Sequence, residues 1–210
     1  MALDTARERR HFLIDMALRR ARPGTGSSMA FYRRRDWSAL GVDLSSIKTP
    51  FAIVGAVATR LYMPERVTHD INLFVPLSSE PSITAELVRL GFTKRDELSI
   101  GDSTWTDAQG ARLDMIASEE PWASEAVATA VRSPDGLPVV RLPYLVLLKF
   151  KSSRALDVGD LSRMLGLASD QALNEVRAVV ASHQPEDKED LESLITLGGL
   201  EFGEEISRSD

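Results

Sequence analysis

The chain has 210 residues, 43% of them hydrophobic, so it can bury an adequate core without cross-links. It contains no cysteine, which excludes disulfides and thiolate metal sites and fits a reducing compartment. A net charge of −6 argues against a protein whose main work is to coat nucleic acid. The N-terminus is charged and no apolar stretch approaches the roughly 20 residues of a spanning helix, so we expect a cytoplasmic protein without a membrane partner.

Positive charge is concentrated in residues 1–35, whereas the C-terminal end is acidic. The basic residues either lie on solvated helix faces or contact RNA or another phosphate-bearing ligand. The spacing of apolar residues predicts a helix over 3–21, followed by a Pro- and Gly-rich linker at 23–28. A second helix is expected near 30–40.

A short apolar run at 50–54, bounded by Pro50 and Gly55, predicts a buried strand. A helix over 55–63 is expected to stop at a proline, a second strand covers 68–75, and a helix over 79–90 ends at Gly91. Segments 103–107 and 112–116 flank a predicted hairpin turn. Helices then dominate, and we expect them at 119–131, 143–167 (with a kink near Leu156), 170–183 and 185–197.

These elements predict an α+β fold in which a small mixed sheet is followed by a C-terminal helical bundle. We divide the chain into N-terminal helices with a linker at 1–48, an α/β core at 49–120 and a helical region at 121–210. The residue pattern with most chemical information lies in the core.

The stretch 51–75 has the features of a phosphate site. Its strand ends at Gly55, and the small residue Ala56 follows, so a ligand can approach the backbone where the next helix begins. Free amides at a helix N-terminus suit a phosphate group. Thr68, Asp70 and Asn72 alternate along the next strand and therefore share one of its faces.

Asp114 is an acidic residue within an otherwise apolar strand, where an unpaired charge would be costly. A nearby cation would remove that cost. Alternatively, Asp70 and Asp114 are strand-end carboxylates bonded to backbone amides or to Arg60, Arg66 or Arg112. The histidines show no spacing typical of metal ligands.

The order and spacing of these motifs resemble the nucleotidyltransferase superfamily, and within it the AbiEii-like and MenT-like bacterial group found as toxins of toxin–antitoxin pairs. That group's pattern is a strand, Gly-Gly or Gly-Ser opening a helix, Thr-x-Asp-Ile-Asp, a later carboxylate, a Lys-rich helix and Asp-x-x-Asp-Leu. The resemblance covers about residues 51–165 and implies a sheet of the nucleotidyltransferase type. The matching residues are Gly55-Ala56, Thr68-His69-Asp70-Ile71-Asn72, Leu113-Asp114-Met115, Leu148-Lys149-Phe150-Lys151, Arg154 and Asp157-Val158-Gly159-Asp160-Leu161.

The resemblance implies transfer of a nucleotidyl group from a nucleoside triphosphate to a hydroxyl acceptor, which in that group is a tRNA end or a protein side chain. Mg or Mn would be held by Asp70, Asn72 and Asp114, with Asp70 and Asp114 as the catalytic carboxylates. A toxin of this kind would also have an antitoxin protein as partner. The residues expected to bind or support the nucleotide are Gly55, Ala56, Thr68, Lys149, Arg154, Asp157 and Asp160.

Two positions depart from the group's pattern. Ala56 replaces Gly or Ser and stays small, whereas Asn72 replaces an Asp, so its amide brings no charge and cannot bridge two cations. Two functions are therefore open. The protein is an active enzyme, or it is an impaired protein of the same fold that binds nucleotide, RNA or a partner protein. Lys149 is alternatively an exposed lysine of the bundle, and Asp157 and Asp160 are alternatively a helix start that favours the dipole.

Overall fold

The computed structural model describes residues 5–22, 44–63, 71–99, 102–134, 136–152 and 155–206. The chain forms two compact units. The sheet unit comprises Arg34–Leu61 and Glu65–Arg141, and the helical unit comprises Met1–Arg33, Tyr62–Pro64 and Leu142–Asp210. Thr68, Asp70 and Arg154, with the predicted linker at 23–28 and helix at 30–40, lie outside the described residues.

Strands and short helices make up most of the first two thirds of the chain, and only helices follow. Within the described residues, no helix combines the length and the apolar character needed to cross a bilayer. Short 3-10 turns occur at Thr59–Leu61, Leu77–Ser79 and Pro185–Asp187. In chain order the elements are α1 (Ala6–Arg20), β1 (Ala52–Val54), α2 (Gly55–Ala58), β2 (Ile71–Pro76), α3 (Glu80–Arg89), β3 (Thr93–Ser99), β4 (Asp102–Thr106), β5 (Arg112–Ser118), α4 (Ala123–Ala128), β6 (Val131–Arg132), β7 (Pro138–Val139), α5 (Leu142–Ser152), α6 (Ala155–Gly166), α7 (Asp170–His183) and α8 (Lys188–Ile206).

The sheet unit is built on a seven-stranded mixed sheet with the strand order β3-β4-β5-β2-β1-β7-β6. β2 is parallel to β5 and β1 is parallel to β7, whereas the other neighbours are antiparallel. The prediction of an α+β fold with a mixed sheet and a C-terminal helical region is confirmed. β3, β6 and β7 have no counterpart among the predicted strands, because β3 is largely charged and the other two have 2 residues each.

The two faces of the sheet are covered differently. Alternation along β5 buries Leu113 and Met115 on one face and turns Asp114 to the other. On this second face, Trp122 at the start of α4 stacks on Phe74 of β2, with ring centroids 5.7 Å apart. The polar face is therefore covered near Phe74 but accessible around Asp114, whose side chain is 21% exposed.

In the helical unit, the predicted helix at 143–167 is two helices, α5 and α6. α6 and α8 cross at Gly166 and Gly198, where a Cβ atom on either residue would overlap the backbone of the other helix. This close crossing requires glycine at both positions. The helix predicted at 119–131 is only the short α4, because the chain then turns into β6.

Arg10 attaches α1 to the rest of the helical unit. Its side chain is 3% exposed, and Nε donates to Asp190 at 2.8 Å while Nη1 donates to the Phe150 carbonyl at 2.6 Å. Nη2 donates to Asp187, and the guanidinium also lies over the Phe150 ring. Burial raises the pKa of Asp187 in spite of the opposing charge of Arg10.

Candidate functional site

A row of polar side chains crosses three neighbouring strands on the accessible face of the sheet. This polar row consists of Asn72, Asp114 and Thr104. Asn72 on β2 is the register partner of Asp114 on β5, and Asp114 is the register partner of Thr104 on β4. Register partners on adjacent strands turn to the same face, with Cβ atoms about 5 Å apart. The structure therefore brings Asn72 and Asp114 side by side.

Asp114 is oriented by one neighbour and only loosely paired with another. Thr104 Oγ1 donates to Asp114 Oδ1 at 2.8 Å, and Arg112 Nε lies 3.7 Å from the same oxygen. The second distance is too long for a hydrogen bond, and the Arg112 side chain is 54% exposed, so water screens this pair. Asp114 Oδ2 accepts no hydrogen bond from any described residue. The carboxylate thus has a fixed orientation and one oxygen that a ligand can contact.

Gly55 marks the point where β1 passes into α2, directly beside Asn72. Its φ of +68° lies in the region that favours glycine, and a Cβ at this position would be 2.8 Å from Asn72 Nδ2. A larger residue would therefore displace the Asn72 amide. The space beside the Gly55 backbone is thus partly filled by that amide.

The helix expected at 55–63 is much shorter than predicted. α2 has 4 residues and continues as the 3-10 turn Thr59–Leu61, and the carbonyl of Ala56, its second residue, accepts a hydrogen bond from Thr59 Oγ1 at 2.6 Å. Since a single turn has few aligned peptides, its dipole is small. Affinity for a phosphate at Gly55 would depend on individual amides, and the role predicted for Gly55 and Ala56 stays a prediction.

The described residues supply only part of a metal site. Among them, no group of three or more carboxylate or imidazole side chains stands together. Asn72 and Asp114 offer one amide oxygen and one carboxylate, which are ligand types that Mg accepts but which carry a single charge. Nδ2 is the Asn72 atom that a Cβ added at Gly55 would meet first. The amide oxygen is the Asn72 atom that can contact a cation, since the nitrogen carries protons. The third predicted ligand, Asp70, lies outside the described residues, and the metal site stays a prediction.

In the helical unit, Lys149, Asp157 and Asp160 form a buried ion cluster. Lys149 Nζ lies 2.8 Å from Asp157 Oδ1 and 2.7 Å from Asp160 Oδ2, and the three side chains are 6%, 2% and 8% exposed, respectively. Ser152 Oγ also donates to Asp157. Lys149 is therefore not an exposed lysine of the bundle, and its ammonium group bonds to both carboxylates of the predicted nucleotide-binding motif.

Two contacts of threonines on β4 were not predicted from the sequence. Thr104 reaches Asp114 from β4, and Arg95 on β3 donates through Nε to Thr106 Oγ1 at 2.6 Å. The available signal was the alternation in Ser103-Thr104-Trp105-Thr106, which turns both threonines to the face opposite the buried Trp105.

No protein-family model matches this chain, and no curated protein matches it. A function can therefore be inferred only from the motifs and from the chemistry of the site.

Proposed function

We propose that the protein is a metal-dependent nucleotidyltransferase of the nucleotidyltransferase-type fold. It would transfer a nucleotidyl group from a nucleoside triphosphate to a hydroxyl acceptor, either an RNA end or a protein side chain. The observation that carries this proposal is the register pairing of Asn72 with Asp114 beside the Gly55 backbone. The order of motifs that resembles the AbiEii-like and MenT-like group supports it, and a toxin role with an antitoxin partner belongs to the same proposal.

The roles of the side chains follow from their chemistry. Asp114, held by Thr104 through Oδ1, presents Oδ2 as a metal ligand or as the base that receives the proton of the attacking hydroxyl. Asn72 adds a neutral oxygen beside it, and the amides near Gly55 are donors for phosphate oxygens. A bound divalent ion would neutralise triphosphate charge and lower the pKa of the attacking hydroxyl.

A second candidate function is binding without catalysis. It is favoured by Asn72, because replacement of a carboxylate by an amide leaves one fewer negative charge to hold a cation. In this case the protein would recognise a nucleotide, an RNA or a partner protein with the same face of the sheet.

Label transfer distinguishes the two functions. The parent chain is incubated with each labelled triphosphate, Mg or Mn, and total RNA or cell protein, beside an Asp114→Asn variant of nearly the same shape. The enzyme hypothesis expects transfer by the parent and a loss of at least about 100-fold in the variant, the lower end of general-base effects. Nucleotide binding without transfer by the parent would favour the second function, and equal transfer by both proteins would remove Asp114 from the chemistry.

Asn72→Asp tests the metal site directly. Two carboxylates about 5 Å apart repel by on the order of 1–3 kcal/mol near a protein surface, so the variant should unfold more easily without metal. Added Mg or Mn should reverse this loss and bind the variant more tightly than the parent. Asn174→Asp, an exposed position on α7, is the matched control. If Asn72→Asp gains no more metal affinity than this control, Asn72 is not beside a cation site.

A further inference from the structure

A pair of arginines stands on the same face of the sheet as Asp114, next to the polar row. Arg112 on β5 is the register partner of Thr106 on β4, and Arg95 on the edge strand β3 bonds to the hydroxyl of Thr106. Neighbouring strands are about 4.8 Å apart, so the β3 and β5 backbones are about 10 Å apart on either side of Thr106. Two arginine side chains are long enough to contact the same phosphate group across that distance.

The contacts of these arginines do not account for their charge. Arg112 is 54% exposed and approaches Asp114 no closer than 3.7 Å, although an arginine that serves only to neutralise a carboxylate would form a direct hydrogen bond of about 2.8 Å. Arg95 is exposed, and its one hydrogen bond to a described residue uses Nε, which leaves both Nη atoms available. The bond to Thr106 nevertheless holds Arg95 over the sheet.

The basic and acidic residues of this face come from successive rows of the sheet. Arg112 pairs with Thr106 and Arg95 bonds to its hydroxyl, whereas Asp114 and Asp96 pair with Thr104, two residues away on the same face of β4. The Cα atoms of the two rows are about 6.7 Å apart along a strand. The Arg112 side chain reaches back along β5, so that its Nε lies 3.7 Å from Asp114 Oδ1. A phosphate suits the first row and a cation suits the second.

We infer that Arg95, Thr106 and Arg112 form a phosphate-binding subsite on the open face of the sheet, adjacent to Asp114. The guanidiniums provide charged donors in a planar fork, which matches phosphate oxygens. The inference deepens the proposed function and rests on it, because the phosphate belongs to one of the substrates of that reaction. It comes either from the triphosphate or from the backbone of an oligonucleotide acceptor.

Binding measurements with two probes test the subsite without requiring activity. One arm titrates nucleoside triphosphates with Mg, and the other titrates a single-stranded oligoribonucleotide without terminal phosphates. The variants are Arg95→Gln, Arg112→Gln and the double variant, and Arg112→Lys keeps the charge but loses the fork. Arg132→Gln is the matched control, because Arg132 is an exposed arginine on β6 at the opposite edge of the same sheet.

We expect each Arg→Gln change to weaken one probe roughly 3- to 10-fold, with Arg112→Lys intermediate and Arg132→Gln unchanged. If the phosphate comes from the oligonucleotide, the slope of log affinity against log salt should also fall by about 0.7 for each phosphate contact that is lost. The probe that weakens identifies the source of the phosphate. Equal affinity of the parent and the double variant for both probes, or no binding of either probe by the parent, would overturn the subsite.

The subsite and the proposed reaction can fail separately. Label transfer by the parent together with unchanged binding by the double variant would leave the transferase standing and overturn the subsite. Loss of oligonucleotide or triphosphate binding in the double variant, with no transfer by the parent under any condition, would support the subsite and overturn the transferase. Thermal unfolding of each variant checks whether the exposed substitutions leave the fold intact.

Discussion

Lys149→Met should strongly destabilise the protein, because it removes the ammonium group that contacts the buried carboxylates of both Asp157 and Asp160. The ammonium group lies 2.8 and 2.7 Å from these side chains, which are 2% and 8% exposed. Removal of one partner of a buried ion pair costs about 3–5 kcal/mol, a large share of the 5–15 kcal/mol by which domains are typically stable. For a chain of this size, the melting temperature should fall by about 2–4 °C for each kcal/mol.

The free energy of unfolding in urea, followed by circular dichroism, measures this cost. Lys151→Ala, an exposed change two residues further along α5, is the control and should change stability by less than about 0.5 kcal/mol. Combined with Asp157→Asn and Asp160→Asn, Lys149→Met should recover most of the loss, because the two carboxylates that the ammonium group contacted are then neutral amides. A loss below about 1 kcal/mol in the single variant would refute the buried-cluster reasoning.

The triple variant also separates the two roles considered for Lys149. If the cluster only holds α5 against α6, the refolded triple variant should keep the nucleotide affinity of the parent. If these residues also help to bind the triphosphate, the triple variant should be folded but should bind nucleotide more weakly. Calorimetry of nucleotide binding distinguishes these outcomes.

Three further predictions concern backbone fit and pH. Gly166→Ala should destabilise the protein, because the new Cβ overlaps the backbone of α8 where α6 and α8 cross. Gly159→Ala, on the open side of α6, should instead stabilise it by about 0.5–1 kcal/mol. Equal effects of the two changes in urea unfolding would contradict this crossing. Gly55→Ala should cost about 1–3 kcal/mol, since it combines a positive φ with overlap against the amide on β2, and an unchanged urea midpoint would argue against that contact. The backbone amide of Lys48 holds the pKa of Glu86 below its ordinary value of 4.5, so the stability from this carboxylate is present above about pH 4.5 and is lost as pH falls through the lowered pKa. Glu86→Gln should therefore flatten the acid limb of a stability profile, and a profile of unchanged steepness would show that this contact does not contribute.

Much of the fold follows from local pattern. Helices α3 and α7 lie within two residues of their predicted bounds, because a proline or serine at the start and a break in the apolar spacing at the end are local signals. The hairpin of β4 and β5 likewise follows from alternation on both sides of a turn. β3 carries bulges and is largely charged, so its place in the sheet depends on pairing with β4 and not on its own sequence.

The sequence by itself determined which side chains can share a face, since the pleat of a strand alternates side chains whatever the tertiary fold. It therefore predicts that Asp114 faces away from Leu113 and Met115. Only the tertiary structure decided which residues meet across strands, because register joins segments that are far apart in the chain. That register brought Asn72 to Asp114. Burial in the helical unit likewise joined Lys149 to its two carboxylates, since a charged group removed from water must find its counterion in the folded chain.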